Sequence, residues 1–204
     1  MARGDDEQTR ALRRAIRAQH PPFVHAVLED AKVTASYRAE RFEFRSRADA
    51  VAQAMRLAWV SDAFFAQVCY RAKARLQALG VPVLPRVAHR LAMAIAQVSI
   101  GDPVVIRPGL YLAHGQVVID GIVTIDRGVV IFPWVTIGLR AGVFHGPTIE
   151  AGVHIGTGAK VLGPVKLGAR SQVGANAVVV DDVPPNTTVV GAPARPTTDA
   201  TPRQ

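Results

Sequence analysis

The 204-residue sequence predicts a mainly β protein: a parallel β-helix of stacked three-sided coils behind an N-terminal α-helical region. Three observations carry this. Apolar residues recur at every sixth position over residues 99–195, a Gly or Ala often follows them, and the residues before them show helical spacing instead. Ile100, Ile106, Leu112 and Val118 form one run. Ile125, Ile131 and Ile137 form a second, after a one-residue slip. Ile149, Ile155, Val161, Leu167, Val173 and Val179 form a third without any slip. A period of six matches neither a helix nor an alternating strand. It matches a coil with three short flat faces, in which each sixth residue points into a shared core. The small residue that follows (Gly101, Ala113, Gly138, Gly156, Gly168, Gly174) lets the backbone turn the corner. One coil cannot bury its own inner face, so coils must stack.

The chain therefore divides into a helical N-terminal region (1–98), the β-helix (99–195) and a flexible tail (196–204). Within the first region, Asp5 to Ala18 is charged and periodic, and Pro21-Pro22 ends it. A short helix fits Pro22 to Lys32. Residues 33–46 read as either strand or extended loop, with Phe42 and Phe44 alternating. Residues 48–79 have helical spacing with a break near Ser61-Asp62, and Gly80 is a natural stop. Pro82 and Pro85 fit a linker and the first turn of a last helix through about Val98. These helices are amphipathic, so they should pack on one another or on a neighbouring subunit.

Composition narrows the function. The formal net charge is +8, and residues 1–98 carry most of it, with 16 Lys and Arg against 9 Asp and Glu. The arginines are scattered among acids, with no basic run and interleaved aromatics, so they read as solvated helix faces and no nucleic-acid partner is expected. A weaker reading is attraction of an anionic substrate. No apolar stretch is long enough to span a membrane. The N-terminus lacks the apolar run of a signal peptide. The single cysteine, Cys69, cannot form an internal disulfide, and it reads as a core residue. Together these predict a cytoplasmic setting. Between Ile137 and Ile149 the repeat is interrupted by residues that include Leu139, Arg140, Phe144 and His145. Loops that leave a rigid solenoid tend to carry function.

The repeat resembles that of the hexapeptide-repeat acyltransferases. Residues from about 70 to 195 resemble the serine acetyltransferase branch through five stretches: Ile106-Arg107-Pro108-Gly109, Leu112-Ala113-His114-Gly115, Val135-Thr136-Ile137-Gly138, Ile155 to Gly163, and Val183 to Arg195, where prolines close the last coil. The resemblance implies a left-handed β-helix and a homotrimer or dimer of trimers. It also implies acetyl-CoA as co-substrate, held in a groove between subunits. An imidazole would take the proton of the acceptor hydroxyl, a task that suits a histidine of near-neutral pKa.

By the same resemblance His114, after the leucine of a coil, is the general base, with His145 of the loop as second candidate. Thr157 and Ala175 match positions that contact the pantetheine arm, Gly138 and Leu139 lie near the thioester, and Lys160, Lys166 and Arg170 are candidates for the phosphates. Arg140 and Phe144 fall where an acceptor would bind. Three departures stand out. Ala113 replaces an acid before the histidine. Val105-Ile106-Arg107-Pro108 stands for Asp-Ile-His-Pro. Phe144-His145 stands where Arg-His is usual. Missing charges disfavour a zwitterionic acceptor, so the expected acceptor is another small-molecule or sugar hydroxyl, with serine as the alternative. A non-catalytic trimeric scaffold is a further alternative. The ending Thr201-Pro202-Arg203-Gln204 lacks the usual terminal Ile, so docking to cysteine synthase is not expected. His114, His145 and His154 are spaced unlike the histidines of β-helix metal sites, and no metal is expected.

Overall fold

The computed structural model describes residues 11–196, apart from 13 and 144. Residues 14–18 are helical. Four longer helices follow: α1 (Phe23–Tyr37), α2 (Arg47–Val60), α3 (Asp62–Ala78) and α4 (Leu84–Ala96). α1 runs five residues past the expected end, and residues 38–46 form turns and extended chain rather than a strand. The break at Ser61 is real, because its Oγ accepts from the Phe64 amide at 3.3 Å and caps α3 as α2 ends. Ser46 caps α2 in the same way, through the Asp49 amide at 3.1 Å. α4 ends at Ala96, two residues short of the expected Val98, and its cap Gln97 takes a left-handed conformation.

The remaining chain winds into coils of three strands. The first holds β1 (Val98–Ile100), β2 (Val105–Ile106) and β3 (Tyr111–Leu112), and the second holds β4 (Val117–Ile119), β5 (Ile122–Ile125) and β6 (Val130–Ile131). The third holds β7 (Thr136–Gly138), β8 (His145–Ile149) and β9 (His154–Ile155), and the fourth β10 (Lys160–Leu162), β11 (Lys166–Leu167) and β12 (Gln172–Val173). β13 (Val178–Val179) and β14 (Thr188–Val190) continue the winding, and β15 (Arg195–Pro196) closes it by antiparallel pairing with β14. All other pairings are parallel and form three faces: A (β1-β4-β7-β10-β13), B (β2-β5-β8-β11) and C (β3-β6-β9-β12-β14).

The register explains the sixfold repeat. Ile100, Ile119, Ile137, Val161 and Val179 stack along face A. Ile106, Ile125, Ile149 and Leu167 stack along face B. Leu112, Ile131, Ile155, Val173 and Val189 stack along face C. All are buried in one continuous core. Val118 is the exception to the expected pattern. It is 42% exposed, and its neighbours Val117 and Ile119 point inward instead. The slip lies before it, between Leu112 and Gln116: inward Leu112 and Ile119 are seven residues apart, where Ile131 and Ile137, or Ile155 and Val161, are six. The longer excursion falls in the third coil, after β7, as expected.

The first coil leaves β1, β2 and β3 as edge strands with unpaired carbonyls, a liability that needs cover. α3 supplies it. Gln67 donates to Leu110 O at 2.8 Å, the Tyr70 hydroxyl to Val104 O at 2.8 Å, Arg71 to the carbonyls of Ile106 and Arg107, and Lys73 to Ile100 O. Asp30 of α1 completes the cap. It pairs with Arg71 and accepts the amides of Gly109 at 2.8 Å and Leu110 at 3.0 Å. Arg71 and Lys73 are therefore buried connectors, which corrects the reading of every basic side chain in this region as a solvated face. Cys69 is buried. No described helix is long and apolar enough to cross a membrane. Residues 197–204, from which the docking expectation was drawn, lie outside the described part.

Candidate active site

His114 stands at the corner between faces C and A. It comes two residues after inward-pointing Leu112, and Pro133, Thr157 and Ala175 follow Ile131, Ile155 and Val173 by the same count. Because those inward residues stack, the four form one column along the solenoid. Left-handed residues carry the turn: Trp134, Gly158 and Asn176 directly follow the column, and Gln116 comes two after His114, with Gly115 as the extra residue between them. They are laced from coil to coil by Trp134 N to Gln116 O, Gly158 N to Pro133 O and Asn176 N to Thr157 O, at 2.8–2.9 Å. The turn bearing His114 is fixed from below by α4. Gln116 N donates to Ala96 O at 2.9 Å, and a Cβ on Gly115 would fall 1.8 Å from that same oxygen. No other residue fits at 115.

The His114 imidazole is exposed, and no side-chain hydrogen bond to it occurs among the described residues. Thr157 and Ala175 are exposed above it, and their amides make no backbone hydrogen bond. Lys160 reaches this corner by donating to Trp134 O at 2.6 Å. The other two candidate phosphate ligands are engaged elsewhere, Lys166 with Glu150 at 2.7 Å and Arg170 with Asn186 at 2.8 Å.

The remaining candidates gather at the corner between faces A and B. Gly138 ends β7, and Leu139 and Arg140 begin the excursion. His145 opens β8 opposite Ile122 and is exposed. Phe144 lies outside the described residues. Three glycines at this corner make room for side chains of other coils. A Cβ on Gly101 would meet Asp120 Oδ1 at 2.3 Å, one on Gly121 would meet Leu139 Cδ2 at 2.3 Å, and one on Gly163 would meet Arg140 Cδ at 2.5 Å. Asp120 is a residue the sequence reading missed. Its signal was an acid in the small-residue slot that follows inward Ile119, the slot held by Gly101 and Gly138 in neighbouring coils.

Thus His114, Thr157, Ala175 and Lys160 share one corner, while Gly138, Leu139, Arg140 and His145 share another. Face A separates them, so one protomer does not bring His114 and His145 together. His154 is exposed on face C, paired with Val130 and Gln172, and partial loss of hydration against the strand surface holds its pKa below the ordinary value. Among the described residues no three side chains are grouped to hold a metal. Chemically, the first corner offers an unencumbered imidazole below Pro133 and two free amides, those of Thr157 and Ala175. The second offers one permanent cation and one carboxylate.

Comparison with known proteins agrees with this geometry. Residues 146–181 match the family described as "Bacterial transferase hexapeptide (six repeats)". The serine acetyltransferase of Helicobacter pylori (strain J99) is 38% identical over 134 residues, which cover 64% of this chain and 78% of that protein. Those of Synechococcus elongatus and Mycobacterium tuberculosis are 36% and 40% identical over 65% and 57% of the chain. The chain spans about half of their length, 55% and 52%. Among solved structures, Brucella abortus serine acetyltransferase in complex with coenzyme A superposes with a TM-score of 0.73 at 26% identity, covering 89% of this chain and 70% of that one. Soybean serine acetyltransferase complexed with serine gives 0.73 at 28%, covering 88% and 71%. These relatives overturn the expectation of a sugar or other non-serine acceptor. Charges missing at two or three positions do not exclude charges supplied from others. The fold is the left-handed parallel β-helix with preceding helices that the repeat implied, and the chain belongs to the serine acetyltransferase family of hexapeptide-repeat acyltransferases.

Proposed function

We propose that this protein is a serine O-acetyltransferase that uses acetyl-CoA, with His114 as general base. The observation that carries this is the column at the C–A corner, an exposed imidazole with the unbonded amides of Thr157 and Ala175 two and three coils above it, in a chain whose relatives are serine acetyltransferases. Free amides at Thr157 and Ala175 suit the amide groups of a pantetheine arm, and Lys160 stands beside them as a cation for the phosphates. In the reaction, the His114 imidazole accepts the proton of the serine hydroxyl as its oxygen attacks the thioester carbonyl. The tetrahedral intermediate collapses with cleavage of the carbon–sulfur bond, and the imidazolium returns the proton to the departing thiolate.

The site is closed by a neighbouring copy, in a trimer. Two features support this. His114 and the excursion lie at opposite ends of face A in one protomer. α4 also leaves Leu84, Val87, Leu91 and Ile95 exposed on one side among the described residues, while Ala88, Ala92 and Ala96 face the core. Thiol release from acetyl-CoA, followed with serine, homoserine, nucleosides and sugars as acceptors, tests the function. Serine is expected to give the highest kcat/KM. A sugar or nucleoside used in preference to serine refutes the proposal.

A further inference from the structure

We propose that Trp134 forms the shelf on which the apolar end of the acyl thioester lies, between the His114 imidazole and the first free amide of the column. This rests on the acetyl-CoA reading above and assigns a side chain to the one level of the column that offers no hydrogen-bond donor. Pro133 stands one coil above His114 and has no N–H. Thr157 and Ala175, with free amides, come one and two coils higher still. A thioester carbonyl within reach of the imidazole is joined to the first amide of its arm through sulfur and two methylene groups. That stretch is about 5 Å long, one coil spacing, and must cross the Pro133 level. It carries no group that would accept a backbone N–H well, so apolar contact is what favours it there.

An indole stands at that level against the preference of its backbone. Trp134 follows Pro133 with a φ of 66°, the left-handed region that glycine adopts freely and an L side chain only against steric resistance. In the other coils Gln116, Gly158 and Asn176 fill this slot, and Trp134 is the only aromatic residue with positive φ among the described residues. Its main chain is fixed on both sides: the amide donates to Gln116 O at 2.8 Å, and the carbonyl accepts from Lys160 at 2.6 Å. The side chain is nevertheless 59% exposed, so its burial within one protomer does little to offset the strain. A strained residue beside the general base, uncompensated by its own chain, has its compensation in what binds there. Phe132, on the other side of Pro133, is also exposed and extends the apolar surface.

Two measurements test this. The chain has two tryptophans, and the other, Trp59, lies on α2. In Trp59→Phe the emission of Trp134 should shift or be quenched as coenzyme A is added. An unchanged spectrum, with coenzyme A shown by calorimetry to be bound, overturns the proposal. Trp134→Gly suits the left-handed backbone, so it should fold with an unchanged or higher urea midpoint. It should lower kcat/KM for acetyl-CoA by about 10-fold, the worth of two methylene groups taken out of apolar contact, and Trp134→Phe should lose much less. S-acetyl-N-acetylcysteamine, which ends just past the first amide, locates the contact: the loss in Trp134→Gly should be as large on it as on acetyl-CoA. A loss confined to acetyl-CoA would place the indole on the distal part of the coenzyme and overturn the assignment. So would a loss that tracks dissociation of the trimer in light scattering, which would make Trp134 a subunit contact, or kcat/KM unchanged in Trp134→Gly. Wild-type protein that binds no coenzyme A and turns over neither thioester overturns the acetyl-CoA reading, and this assignment with it.

Discussion

Removing the Asp30 carboxylate should damage the protein well beyond the loss of one ion pair. Asp30 and Arg71 are almost fully buried, with Nε–Oδ2 at 2.9 Å and Nη2–Oδ1 at 3.2 Å. Burial pushes the Asp30 carboxyl up from its ordinary value, and the guanidinium and the amides of Gly109 and Leu110 pull it back. Asp30→Ala strands a buried guanidinium and orphans both amides, so it should cost about 3–5 kcal/mol. Arg71→Met strands the carboxylate and should cost a similar amount. The double variant removes both charges but leaves the two amides without acceptors. Its cost should therefore fall about 2–3 kcal/mol short of the sum of the single variants, within the range seen for residues in contact. Urea unfolding followed by circular dichroism gives the three values. Hydrogen exchange at Gly109 and Leu110 shows where the damage sits. Additivity within about 0.5 kcal/mol, or single losses under about 1 kcal/mol, would refute the view that this pair clamps the first coil to the helices.

Three further predictions concern catalysis, assembly and pH. His114→Ala should lower kcat by about two to four orders of magnitude, while calorimetry still shows coenzyme A binding. Unchanged turnover would move the base, with His145 next in line. Light scattering should give the mass of a trimer or a dimer of trimers, and Leu91→Asp on the open face of α4 should dissociate it; a wild-type monomer at micromolar concentration contradicts this. His20, beside the Tyr70 ring at 6.1 Å, has its pKa lowered to about 4 by burial and by repulsion from Arg71 and Lys73. Its folded pKa lies below the unfolded value near 6.5, so the unfolded state binds the extra proton between the two. Stability should be intact above pH 6.5 and fall toward pH 4. The ring is only half-buried, so the loss is about 1–2 kcal/mol after screening by water. His20→Gln should flatten that slope in urea midpoints measured across the window, and an unchanged slope would assign it to other groups.

The solenoid was legible because its signal is repeated and local. Each inward residue sits six from the next, so even the misplaced Val118 left the remaining positions in register. That error came from placing the extra residue after Val118, when it lies at the preceding corner, between Leu112 and Gln116. The cap on the first coil was not legible. Gln67, Tyr70, Arg71 and Lys73 look like one polar face of an ordinary helix. Their partners, the carbonyls of Ile100, Val104, Ile106 and Leu110, lie 27 to 43 residues away. His114 could be singled out from its place after Leu112. The split of the candidates between two corners could not, because it depends on how coils of unequal length superpose. Likewise, the expectation against serine treated the familiar charged positions as the only sources of charge.

Carbon-13 NMR of the products of [1-¹³C-acetyl]-CoA and L-serine tests the central claim most directly. The account predicts that the labelled carbonyl appears as an ester on the serine hydroxyl, formed with one thiol released per ester and almost lost in His114→Ala. Release of free acetate without the ester, or the ester forming equally fast in His114→Ala, would contradict it.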